Sequence, residues 1–230
     1  MPRRGSLPPA LAYALRKLGL EASEDSVLRL LREVGVEVPE GELPRLVEEV
    51  RSCRPALPGE IPRLMERGRR KRLAAYYTGG LGVRLMAELA RAHAEAGGPD
   101  RLVLADPFAG AGLTLAEAVD LLGPRVGAVW AVEADPAAAV AAYASLASRL
   151  GPGSVRVVCG DAFRVVPELA SEGVRADAVL TNPPFTRWEA LEPEYRREVL
   201  SHLDPGLTVR RQVGLQVPSL FLIDLSLIHI

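Results

Sequence analysis

The sequence predicts an α/β fold, in which a parallel sheet of about four strands is covered by helices on both faces and follows a small helical region. Two observations support this prediction. From residue 101 onwards, short continuous apolar runs alternate with longer helical stretches, which is typical of parallel strands buried on both faces. In addition, the first apolar run opens through a glycine-rich turn into a helix.

Residues 1–60 are predicted to form the helical N-terminal region. Apolar side chains recur there at helical spacing, at Leu11, Leu15 and Leu18 and again at Val27, Leu30, Leu31 and Val34. Residues 61–100 are expected to lead into the core and to carry a helix over residues 81–96, because a Gly-Gly pair follows that stretch.

Residues 101–230 are predicted to form the α/β core. The apolar runs place strands at residues 102–105, 126–132, 155–158 and 178–180. The stretches between them place helices at residues 113–122, 136–150 and 165–171. A polar helix near residues 189–203 and an apolar segment at 219–230 are expected to follow.

Composition and charge exclude several classes of protein. A formal net charge of -1 and 48% hydrophobic residues indicate a globular chain with a sizeable core. Cys53 and Cys159 lie far apart without a close Cys or His partner, which predicts neither a disulfide framework nor a zinc site and favours a reducing, cytoplasmic setting. The longest apolar run, residues 217–230, contains a proline, an aspartate and a histidine, so we expect neither membrane spanning nor export.

One basic stretch has two interpretations. Residues 63–72 read RLMERGRRKR, which fits either a solvated helix face or a surface that contacts nucleic-acid phosphates. The sequence leaves both open.

The glycine-rich turn is the first candidate for a ligand site. A predicted strand ends in Asp106, and the chain passes through Gly110 and Gly112 into a helix. Small residues there allow the backbone to approach a ligand at the start of a helix, although the same turn also serves tight helix–strand packing. A nicotinamide-binding dehydrogenase is disfavoured, because Leu115 occupies the position of the third glycine in the motif of that class.

Polar groups follow the next three predicted strands as well. Glu133 ends the second strand, Asp161 follows the third, and residues 181–185 (TNPPF) follow the fourth. Ligands of open parallel sheets bind at these carboxyl ends. Any single acid of this kind also fits a helix N-cap or a solvated turn, and the Pro-Pro pair fits a rigid turn. Four consecutive strand ends with suitable side chains favour a binding site.

The motif at residues 106–112 (DPFAGAG), together with residues 182–185 (NPPF), resembles those of the amino-methylating DNA methyltransferases of the adenine type. Residues 75–79 (AYYTG) resemble a further cofactor motif of that family, with Gly79 in place of the usual proline. The motif order matches the arrangement in which target recognition comes last. The resemblance implies a Rossmann-like methyltransferase sheet with further strands after the fourth. We therefore expect a C-terminally incomplete domain with an exposed sheet edge.

The resemblance also implies S-adenosylmethionine as the cofactor. Tyr77 and Thr78 would help to hold its amino-acid end, close to Asp106. Glu133 would bind the ribose hydroxyls, and Asp161 would accept a hydrogen bond from the adenine amino group. The full set of cofactor-binding residues implied in this way is Tyr77, Thr78, Asp106, Pro107, Phe108, Ala109, Gly110, Gly112, Glu133, Asp161, Ala162 and Phe163.

The implied catalytic residues are Asn182, Pro183, Pro184 and Phe185. The Asn182 amide oxygen and the Pro183 carbonyl would accept the two amino hydrogens of the target base, and Phe185 would stack on that base after it leaves the duplex. The mechanism needs no metal and no thiolate nucleophile. The implied partner is DNA, in a restriction-modification setting.

Three alternatives to this function stay open. A methyltransferase of the same fold could act on guanine in RNA or on a glutamine amide in a protein, since these enzymes use a similar Asn-Pro-Pro-aromatic turn. The chain could also be a non-catalytic fragment that retains affinity for the cofactor.

Overall fold

The computed structural model describes residues 4–64, 80–184 and 191–201. The strands are β1 (Leu102–Asp106), β2 (Val126–Glu133), β3 (Val155–Cys159) and β4 (Ala178–Val179). The α-helices are α1 (Leu7–Leu18), α2 (Glu24–Glu33), α3 (Leu43–Ser52), α4 (Ile61–Leu64), α5 (Gly80–Glu95), α6 (Leu113–Leu122), α7 (Pro136–Leu150), α8 (Ala162–Ser171) and α9 (Pro193–Ser201). Short 3-10 turns lie at Arg4–Ser6, Glu40–Glu42, Pro58–Glu60, Gly123–Arg125 and Pro152–Ser154.

The four strands form one parallel sheet in the order β3-β2-β1-β4. Leu104 of β1 pairs with Val129 of β2 on one side and with Ala178 of β4 on the other. The carboxyl ends of β1, β2 and β4 are therefore neighbours. The predicted α/β fold with a parallel sheet of about four strands is confirmed.

Helix α8 begins three residues earlier than the sequence predicted. The Asp161 side chain accepts a hydrogen bond from the Phe163 amide (2.9 Å) and so caps the helix, which continues through Pro167. The prediction started the helix at Val165 and took no account of Asp161 as an N-cap, and that start was wrong. Asp161 therefore stands directly at the N-terminus of a helix.

Strand β4 is short and lies at the edge of the sheet. Its approach to β1 is extended by Asp177, whose amide donates to Val103 O (2.9 Å) and whose carboxylate accepts from Val103 N (2.7 Å). Leu180 N then donates to Ala105 O (2.8 Å). No strand of the described ranges pairs with the outer edge of β4. Residues 204–230, on which the predicted incompleteness of the domain depends, lie outside those ranges.

The N-terminal helices share one hydrophobic core with the sheet. Leu11 of α1 and Leu31 of α2 belong to the same buried cluster as Leu104 of β1. Helix α1 packs extensively on α7, and Val34 O accepts a hydrogen bond from Cys159 N (2.8 Å) at the end of β3. The helical region thus covers α7 and the β3 side of the sheet.

A second cluster of small side chains links α1, α7 and the glycine-rich turn. Ala10 of α1, Ala111 of the turn and Ala141 of α7 are all fully buried in it. Small side chains permit this close approach, so the N-terminal helices support the turn from behind. Among the helices that the structure describes, none is both long and apolar enough to cross a membrane.

Candidate functional site

The candidate site lies where the strands of the parallel sheet end. Asp106 is the last residue of β1, and Glu133 is the last residue of β2. Asp161 follows β3, and Thr181 and Asn182 follow β4. Because β1 lies between β2 and β4, its carboxyl end forms the centre of this arrangement.

The glycine-rich turn folds back on the end of the sheet through its own backbone. Ala109 N donates to Val132 O (3.0 Å), and Gly112 N donates to Ala109 O (2.9 Å). Gly112 has φ +74°, and a Cβ atom there would lie 2.9 Å from Cα and Cβ of Ala142. Both the left-handed backbone and the packing against α7 therefore require glycine. The tight helix–strand packing that the sequence analysis gave as one explanation of this turn is therefore present.

Asp106 is 2% exposed and forms two hydrogen bonds through one oxygen. Its Oδ1 accepts from Phe108 N (3.0 Å) within the turn and from Thr181 Oγ1 (2.6 Å) after β4. Burial nevertheless raises the pKa of Asp106 from 3.8 to about 7, because desolvation outweighs these two bonds. The carboxylate thus joins the turn to the segment that carries Asn182.

Glu133 joins the end of β2 to the glycine-rich turn. Its Oε2 accepts from Gly110 N (2.8 Å) and its Oε1 from Asp135 N (2.7 Å). Desolvation raises its pKa to about 7, and the negative charges of Asp135 and Asp106 add to this effect. A carboxylate oxygen has two acceptor positions, so each oxygen of Glu133 can also accept a hydroxyl donor.

Asp161 is held by one backbone and one side-chain donor. Besides capping α8 through Oδ1, it accepts at Oδ2 from the hydroxyl of Tyr195 (2.7 Å). The next two residues, Ala162 and Phe163, are buried. The Phe163 ring is 2% exposed and packs against Phe108, with ring centroids 5.9 Å apart. Phe108 is the more exposed ring of this pair.

The segment after β4 places Asn182, Pro183 and Pro184 next to the end of β1, and all three are half-buried. Pro107, also predicted for the site, is buried beside Asp106. Phe185, Tyr77 and Thr78 lie outside the described residues, as does most of the basic stretch at 63–72.

Sequence reasoning assigned no role to three polar side chains of this region. Thr181 precedes the recognised Asn-Pro-Pro turn directly. Asp135 caps α7 by accepting from Ala137 N and Ala138 N (both 3.0 Å), and its position before Pro136 is a recognisable N-cap signal. Tyr195 is 34 residues from Asp161 along the chain, and the sequence holds no signal for their contact. No group of three or more His, Cys, Asp or Glu side chains suited to a metal ion occurs in the part of the chain that the structure describes.

The fold is similar to solved structures. The type IIG restriction endonuclease BpuSI matches over 97% of this chain and 30% of its own length, with 17% identity and a TM-score of 0.56. The type I restriction-modification methyltransferase subunit from Streptococcus thermophilus matches over 99% of this chain and 54% of its own length, with 15% identity and a TM-score of 0.54.

At these identities the likeness establishes the fold alone, a Rossmann-like α/β fold with a parallel sheet, as the sequence predicted. The chain spans less than two thirds of either protein. No protein-family model matches the chain, and no curated protein matches it.

Proposed function

We propose that this chain is an S-adenosylmethionine-dependent methyltransferase that acts on the exocyclic amino group of adenine in DNA. The observation that carries the proposal is the placement of Asp106, Glu133, Asp161 and Asn182 at the carboxyl ends of the strands of one parallel sheet. Ligands of open α/β sheets bind at this edge.

The side chains present fit an adenosine cofactor. Glu133 can accept from two vicinal hydroxyl groups while it keeps its bonds to Gly110 and Asp135. Asp161 offers a carboxylate acceptor suited to an amino group, and the half-buried Phe108 ring, which packs on Phe163, offers an apolar surface. Burial raises the pKa of Asp106 to about 7, and a cationic ligand at the glycine turn would favour its ionised form and be stabilised by that charge.

When bound, the cofactor supplies an electrophilic methyl group on a positively charged sulfur. Asn182 and Pro183 then prepare the acceptor amine, because the amide oxygen and the backbone carbonyl accept its two hydrogens. With its hydrogens held in this way, the nitrogen lone pair would be free to accept the methyl group that the cofactor supplies, and the proton that the amine loses would leave to solvent. Positioning and electrostatics are sufficient, and no covalent enzyme intermediate forms.

DNA is the acceptor that the motifs and the restriction-modification neighbours favour. The amino group of adenine is unreachable inside a duplex, so the base must flip out, which costs a few kcal/mol. Phe185, which follows the Asn-Pro-Pro turn, would stack on the flipped base. RNA guanine and protein glutamine are the competing acceptors, and a cofactor-binding fragment without turnover is the competing class.

The first experiment is a calorimetric titration of S-adenosylmethionine into the full chain, with nicotinamide dinucleotide as the control ligand. Binding of the sulfonium cofactor alone, weakened in Asp161→Ala, would support the class. Binding of neither ligand would contradict it. Transfer of a labelled methyl group to DNA, RNA and protein acceptors then separates the substrates, and binding without transfer to any of them would favour the non-catalytic fragment.

Asn182→Ala is the matching catalytic test. We expect it to abolish transfer and to leave cofactor affinity within about twofold, because the side chain acts on the acceptor amine rather than on the cofactor. Loss of both binding and transfer would argue against the role assigned to Asn182.

A further inference from the structure

Tyr195 connects a helix beyond the Asn-Pro-Pro turn to the acid at the end of β3. Its hydroxyl donates to Asp161 Oδ2 at 2.7 Å, while Asp161 Oδ1 accepts from Phe163 N at 2.9 Å. The two carboxylate oxygens therefore have different partners. Together these bonds fix the rotation of the carboxylate group, which one bond alone would leave free.

The position of Tyr195 is itself fixed by packing of α9 on α8. Arg164 of α8 forms a two-pronged ion pair with Glu198 of α9, in which Nη2 lies 2.8 Å from Oε2. Val199 is fully buried in the same cluster as Phe163. These contacts hold α9 in place without help from the Tyr195 hydroxyl. That hydroxyl is thus presented to Asp161 by an already anchored helix.

We propose that Tyr195 is a positioning residue of the adenine subsite, a role that rests on the proposed function. By donating to one lone pair of Asp161 Oδ2, it aims the remaining lone pair at the amino group of the cofactor's adenine ring. The bond also links the helix that follows the catalytic turn to the cofactor site. Tyr195 in this role contributes to selection of a purine that carries a 6-amino group.

A purely structural role for the hydroxyl predicts a different outcome. If the Tyr195–Asp161 bond only anchored α9, its removal would weaken all nucleoside ligands alike or would lower stability alone. A positioning role weakens only those ligands that donate to Asp161. Selectivity for the 6-amino group therefore separates the two roles.

The test is calorimetric binding of two ligands to the full chain, S-adenosylhomocysteine and its analogue with unsubstituted purine in place of adenine. We expect the wild-type chain to prefer the adenine ligand by roughly tenfold, as for one hydrogen bond to a charged group. Tyr195→Phe should lose most of this preference and leave affinity for the purine analogue within about twofold. Tyr13→Phe, the same change on α1, should behave as the wild type.

Glu198→Gln provides a second control, because it weakens the anchoring of α9 and leaves the Tyr195 hydroxyl in place. It should keep the preference for adenine even if its melting temperature falls. An undiminished preference in Tyr195→Phe or an equal loss for both ligands would overturn the positioning role. Failure of the wild-type chain to bind either ligand would overturn the proposed function itself.

Discussion

Replacing Asp106 by Asn tests how strongly the buried carboxylate affects stability. The pKa of Asp106 rises from 3.8 to about 7 in the folded chain, where the side chain is 2% exposed. The folded state consequently binds more protons than the unfolded state between pH 4 and 7, and stability falls as pH rises through this window. A shift of about three units corresponds to about 4 kcal/mol, at 1.36 kcal/mol for each unit.

Asparagine keeps the acceptor oxygen for Phe108 N and Thr181 Oγ1 but has no charge to desolvate. Above pH 7 we expect Asp106→Asn to be more stable than the wild type by at most about 4 kcal/mol. With roughly 2–4 °C per kcal/mol for a chain of this size, the melting temperature should rise by up to about 8–16 °C. The difference should shrink as pH falls from 7 towards 4 and vanish below the unfolded pKa of 3.8, where the carboxyl group is protonated in both states.

Thermal unfolding of both proteins between pH 4 and 9 measures this difference, and groups common to the two largely cancel. A difference in melting temperature that does not depend on pH would refute the reasoning. So would a variant that is less stable than the wild type at pH 8. The same variant should bind S-adenosylmethionine more weakly, because it lacks the negative charge beside the cationic ligand.

Two further substitutions test the turn and the ribose subsite. Gly112→Ala should destabilise the fold by roughly 2–5 kcal/mol, because the residue combines a positive φ with a 2.9 Å approach of the added Cβ to Ala142. Gly19→Ala is the control: Gly19 also has a positive φ but open space around it, so the substitution should cost only about 1–2 kcal/mol. Equal losses in urea denaturation would contradict the close approach. Glu133→Gln keeps only one of the two carboxylate oxygens as an acceptor. Calorimetry should therefore show a roughly tenfold loss of affinity for the cofactor. Unchanged affinity would show that Glu133 does not bind the ribose.

Much of the fold could be predicted because its signals are local. The apolar runs gave the four strands, and helix α7 has a recognisable start at Asp135-Pro136 and a continuous run of small apolar residues. The alternation of strands and helices predicts a parallel sheet but does not give the strand order β3-β2-β1-β4, because that order depends on how the helices pack on the sheet. The shared core between α1 and α7 had no local signal, because it depends on which helix faces meet.

The site was predictable to the level of strand ends but not of side-chain pairs. Asp106 and Glu133 come directly at the end of apolar runs, so the sequence predicts that they lie at the ends of strands. The bond from Thr181 to Asp106 spans 75 residues and that from Tyr195 to Asp161 spans 34 residues. Contacts at such separations depend on the register of the sheet and the packing of helices, and a single sequence does not contain that information.

The electrostatics of the strand ends give a physical reason to regard them as a binding site. Asp106 and Glu133 both have a pKa of about 7, and the charge of Asp106 adds to the shift of Glu133. Because these pKa values are raised by folding, the two carboxylates lower the stability of the folded chain at neutral pH. Amide side chains at the same positions would carry no such cost. A cationic ligand would favour the ionised form of both and offset that destabilisation. Residues that weaken the fold but suit a positively charged ligand are characteristic of functional sites, and here they flank the glycine turn.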